Sequence, residues 1–200
     1  MPENVEVPSG STRTLSFVDG DLTVGRSATI KGEGVPPKVN VSGTIECRGD
    51  CKFECSVSTE DFEAEHGDVV VQGDLEVKGD VEIRHGRLDA EGKMNARNVS
   101  VDKTLVVGKD LEAEDVDVGG SLEVRGNTGV KTIDVGGRFR GVGEVKAEDI
   151  DVGGSVTVES RVETEKIDVG GTVTLHGGHA GKIDVGGSFE SKDSLEFDSI

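Results

Sequence analysis

Three cysteines crowd into nine residues, "CRGDCKFEC", as Cys47, Cys51 and Cys55. Thiolates this close could hold zinc or an iron–sulfur cluster, but both usually take four strong ligands or a recognised spacing. The next histidine, His66, lies eleven residues beyond Cys55. Three cysteines cannot all pair with one another, and a reducing compartment keeps thiols free. Cys47 stands two residues after Ile45, the spacing of one strand face, where a small apolar side chain packs well. Core filling is the expected role, with a metal site as its alternative.

A second set is acidic. Asp117, Asp134, Asp151, Asp168 and Asp184 each open a "DVGG" preceded by Ile or Val. In an extended strand such an acid points away from its apolar neighbours. The five should stack as an outward ladder, which Glu46, Glu63 and Glu82 would extend. Carboxylates ~4.8 Å apart repel by about 0.9 kcal/mol per neighbour in water, and salt lowers that further. The ladder could bind cations or keep rods apart. The plainest reading is a solvated face offset by Lys131, Lys146, Lys166 and Lys182. No metal or other cofactor is expected.

The histidines offer little catalytic promise. His66, His85 and His176 each precede a glycine, and His179 follows close behind, which places all four near corners. A hexapeptide-type acyltransferase would carry its histidine on a projecting loop, and a solenoid carbonic anhydrase would need three at a subunit interface. No segment reads as a long loop that could form either. "GDLTVGRS" (Gly20–Ser27) has Arg26 where a phosphate-binding loop carries Lys. It is followed by strand-like "ATIKGEG" rather than the helix that motif requires. Polysaccharide lyases of the β-helix class need longer coils and an acidic cleft. The chain therefore reads as non-enzymatic.

The spacing of these residues identifies the elements that carry them. Val116, Ile133, Ile150, Ile167 and Ile183 are separated by steps of 17, 17, 17 and 16. A fixed period of this length signals a solenoid. Within "IDVGGSVTVESRVETEK", the i, i+2 pairs Ile150/Val152, Val156/Val158 and Val162/Thr164 read as three very short strands, each with one face buried. The earlier pairs Leu22/Val24, Val39/Val41, Ile45/Cys47, Phe62/Ala64, Val69/Val71, Leu75/Val77 and Val81/Ile83 keep the same rhythm. The expected fold is an all-β, three-sided parallel β-helix of about ten coils, ~50 Å long at the usual strand spacing. Residues 15–200 form its single domain, behind a short flexible tail at 1–14. One face runs through positions 28, 45, 62, 81, 99, 116, 133, 150, 167, 183 and 200. The paired glycines suit corners that need positive φ or close approach of the next coil.

Composition narrows the partners. Asp and Glu number 40 against 22 Lys and Arg, for a net charge of -18, which disfavours nucleic acid and anionic membrane. Aromatic residues make up 3%, and Trp and Tyr are absent, in keeping with a narrow aliphatic interior. No apolar run is long enough for a membrane helix, and "MPENVEVPSGSTRT" lacks the features of a signal peptide. A cytoplasmic protein is expected.

The stretches "TLVVGKDLEAEDVDVGG" (Thr104–Gly120), "IDVGGRFRGVGEVKAEDIDVGGSV" (Ile133–Val156) and "GDLEVKGDVEI" (Gly73–Ile83) resemble the bactofilins, the polymer-forming cytoskeletal proteins. The likeness spans residues 20–200. It implies a right-handed triangular β-helix that assembles end to end into non-polar filaments without nucleotide. Many members also carry an apolar N-terminal stretch for membrane attachment. Here that region offers only Val5 and Val7 beyond the first Met, so membrane attachment is not expected. The sequence reaches Ile200, the first core position of a further coil, with no cap after it. An open solenoid end invites pairing. Assembly is expected through Leu15, Phe17 and Leu22 at one end and Leu195, Phe197 and Ile200 at the other. The partners are then other copies of the chain, with cytoskeletal or client proteins besides. The alternative is a binding scaffold that presents its acidic face to a basic partner or cations.

Overall fold

In the computed structural model, which describes residues 3–199, the chain winds as a β-solenoid. Its parallel strands stack in about eleven coils of roughly 17 residues, with no helix among the described residues. Pairing runs along three ladders. The first starts with Val5–Val7 on Leu22–Val24 and continues through Thr44–Cys47, Asp61–Glu65 and Asp80–Arg84 to Gly178–Val185. The second runs from Thr12–Leu15 on Ala28–Gly32 to Ser188–Ser191 and forms an 11-stranded sheet of its own. The third runs from Phe17–Val18 on Lys38–Val41 to Leu195–Ser199. Val162–Val169 and Gly178–Val185 are 8 residues each and contribute to the third and first ladders together, so the corner between those ladders straightens there.

The strands form because Val, Ile and Leu alternate with polar residues, and only one pleat face can be buried in so thin a rod. Val152, Val158, Val162 and Ile167 are all wholly buried, as are Leu88, Leu105 and Leu111. A narrow core tolerates large side chains only beside small ones. Phe53 and Phe62 meet edge-on with ring centroids 5.6 Å apart. Ala28, Cys51, Cys55 and Ala64 are buried in the same or adjacent coils. Phe139 is likewise matched by Gly141, where an added Cβ would stand 2.7 Å from Val145 Cγ2.

Three expectations are corrected. Val5–Val7 and the start of Thr12–Leu15, expected within a flexible tail, are paired rungs of the first coil. The face traced through position 28 is misregistered there. Ala28 aligns with Cys51 on the second ladder, whereas Ile45 aligns with Leu22. That step is 23 residues rather than 17, because "GEGVPPK" bulges out, closed by an antiparallel bridge from Glu33 to Lys38. Finally, of the two reasons offered for the paired glycines, positive φ does not apply to those of "DVGG" and close approach does. These glycines are required by proximity: an added Cβ on Gly136 would lie 2.3 Å from Gly119 O, and one on Gly153 would lie 2.4 Å from Gly136 O.

Candidate functional site

The aspartate ladder is built by strand register. Asp117 aligns with Asp134, Asp134 with Asp151, Asp151 with Asp168, and Asp168 with Asp184. Glu46, Glu63 and Glu82 align in the same column, and Ser100 separates the two acidic runs. Asp117, Asp134, Asp151 and Asp184 are exposed. Of the lysines expected to offset the ladder, Lys166 and Lys182 lie 3.8 and 4.0 Å from Asp168 and Asp184. Lys131 pairs instead with Glu114, and Lys146 with Glu144 and Glu163. Among the described residues, Asp117, Asp134 and Asp151 make no ion pair within 4.0 Å.

The two end coils differ. In the last coil Val185 aligns on Val169, Phe189 on Val173, and Leu195 and Phe197 on Gly178 and Ala180. These four therefore occupy inward slots, yet Val185, Phe189 and Leu195 are half-buried and Phe197 is 45% exposed. Val185 and Phe189 belong with the expected end residues; Val185 was read only as a member of the repeat, and Phe189 lacks an apolar i, i+2 partner. Ile200 lies outside the described residues. At the other end, Leu22 is wholly buried beneath Val5 and cannot be an end contact. Phe17, 62% exposed, aligns with the exposed Asn40 and so faces sideways. Leu15 is half-buried over Gly32. Val7 and Val18 are closed off, while Arg13 takes the slot above Ile30 and is exposed.

All three cysteines are buried free thiols. Cys47 aligns with Val24 and Ala64 in the apolar stack. Burial and the neighbouring Cys51 push its thiol well above the usual range. Burial pushes Cys55 up to about 11. Neutral thiols held this way act as small apolar fillers rather than nucleophiles. Among the described residues, no three His, Cys, Asp or Glu side chains are grouped as a metal ion would need.

A further use of acid was missed from sequence. At the coil corners, Asp and Asn side chains accept the backbone N–H of the next coil. Asp50 accepts from Asp68 N at 2.8 Å and Asp68 from Arg87 N at 3.2 Å. Asp61 accepts from Asp80 N, Asp74 from Lys93 N, Asp110 from Asn127 N, and Asn127 from Glu144 N. These bonds replace ladder bonds where the chain turns. The signal was the recurring Gly-Asp of "GDLTV" and "GDLEV", read only as a corner.

An open groove of about 980 Å³ runs between the third and first ladders, floored by Ala113, Val130 and Ala147. The one hydroxyl lining it, on Thr164, is spent on the carbonyls of Glu148 and Lys166. His176 Nδ1 lies 2.9 Å from the Val158 carbonyl. His66 and His85 stand at corners with their rings stacked. No described helix is long and apolar enough to cross a membrane. No protein-family model, curated protein or solved structure matches the chain.

Proposed function

We propose that this chain is a non-enzymatic structural rod that joins further copies of itself end to end, a bactofilin-like component of a cytoplasmic filament or scaffold. The observation that supports this most directly is the last coil, whose inward slots at Val185, Phe189, Leu195 and Phe197 are half-open. One coil earlier, Val169, Val173 and Ala180 in the same slots are at most 1% exposed. A second copy laid on that coil would continue the ladders and bury apolar surface worth about 1.5–3 kcal/mol per fully buried side chain. The unpaired carboxylates of the aspartate ladder would meanwhile discourage side-by-side bundling. Electron microscopy of the purified chain should show unbranched filaments one rod wide, and F189D/F197D should shorten or abolish them. Single rods in both low and high salt would overturn the reading.

A second reading keeps the rod but makes the ladder its working face, presented to a basic partner or to cations. The lack of ion pairs at Asp117, Asp134 and Asp151 favours it. Divalent-ion binding that D134N/D151N weakens, in a chain that stays single, would select this reading.

A further inference from the structure

His66 and His85 lie on consecutive coils, one residue past the aligned pair Glu65 and Arg84. Both have a left-handed backbone, φ 58° and 57°, a conformation most side chains avoid. Coils further along turn the corresponding corner with Gly-Gly. Here the chain instead places two imidazoles side by side. Their ring centroids are 4.8 Å apart and their planes lie within 6° of parallel. Each side chain is 64% exposed. The His66 Nδ1 lies 3.9 Å from Glu65 Oε1, and the His85 Nδ1 lies 3.9 Å from Asp102 Oδ2. Arg26, Glu46 and Arg48 border His66 in a shallow hollow, and Arg84 stands with Glu63, Glu65 and Glu82 beside it.

We propose that His66 and His85 form a two-imidazole site for a divalent transition metal such as zinc, clipping one coil to the next. Zinc–nitrogen bonds run about 2.0–2.1 Å, so two nitrogens on one tetrahedral ion sit about 3.4 Å apart. The parallel rings now direct their nitrogen lone pairs the same way, and both exposed side chains must turn about their torsions until the two Nε2 converge on one ion. A small rotation lets Glu65 and Asp102 accept the Nδ1–H groups. This would fix the tautomer that leaves each Nε2 free to ligate, the usual carboxylate support of a metal-bound histidine. Water fills the remaining positions, consistent with no third protein ligand being grouped there. Imidazole ligands favour zinc over calcium or magnesium, which separates this site from any ion held by the carboxylate ladder. The site is independent of end-to-end assembly.

The test is a zinc titration of the full chain followed by proton NMR of its 4 histidines. The His66 and His85 ring signals should move together and saturate at one equivalent, while those of His176 and His179 stay still. H66N and H85N should each weaken zinc binding roughly tenfold or more. Asn tolerates the left-handed backbone, and circular dichroism would confirm that the variants fold. Zinc should raise the melting temperature of the wild type and not of H66N/H85N. An unmoved histidine pair, or an H66N variant that titrates like wild type, overturns the proposal.

Discussion

A methyl group added at Gly136 would stand 2.3 Å from the carbonyl oxygen of Gly119, and backbone cannot yield as a flexible side chain can. Gly129 is different, since an added Cβ there meets nothing within 4 Å. Gly136→Ala should therefore destabilise the rod by about 1–3 kcal/mol, as overpacking does. Gly129→Ala should be neutral or slightly stabilising, because it removes backbone freedom from the unfolded chain. Paired denaturant melts read the difference. The cysteines make a second case. With Cys47, Cys51 and Cys55 buried and the first and last held well above the ordinary thiol range, the folded chain should resist a thiol reagent at about pH 8. All three thiols should react once it is unfolded, counted as released chromophore.

The corners depend on acids as much as on glycine. Asp110 accepts the backbone N–H of Asn127 and pairs with Lys93 at 3.1 Å. Chiefly through that backbone bond, its carboxyl titrates below the usual range. A carboxyl with a depressed folded-state pKa contributes stability that is complete above the unfolded value, about 3.9. The contribution disappears as pH falls through the lower folded value. Asp110→Ala should cost about 0.5–1.5 kcal/mol at neutral pH for the lost acceptor. It should also lose less melting temperature than wild type when pH is taken from about 6 to below 3. The inward alternation and the 17-residue step were legible because burial on one pleat face dictates both. The acceptor role of Asp50, Asp68 and Asp110 was not, because its partners lie 17 to 19 residues away on the next coil. Alternation within a strand carries no record of them.

Along the full rod, a net charge of -18 and an aspartate column in which only Asp168 and Asp184, among the described residues, have ion pairs oppose compaction. Screening shortens from about 10 Å at 0.1 M salt to about 3 Å at 1 M, so the melting temperature should rise with added salt. D134N/D151N removes two adjacent, aligned members of the column and should flatten that rise. Apolar contact between ends would likewise strengthen in salting-out ions, so the proposed filaments should lengthen in sulfate and shorten with F189D/F197D.

The regular half of the chain could be read directly, since the repeat of Ile-Asp-Val-Gly-Gly sets strand, corner and coil length and orients the aspartates outward. The folded molecule added which coil lies on which. The bulge at "GEGVPPK" shifts Ile45 onto Leu22, so Leu22 is interior and the first coil begins with Val5. Close stacking, rather than positive φ, explains the glycine pairs. It also closes Val7 and Val18 while leaving Phe189 and Phe197 half-open. The physical reason is that a side-chain pattern encodes direction along one strand, whereas exposure at an end or corner depends on the neighbouring coil above or below.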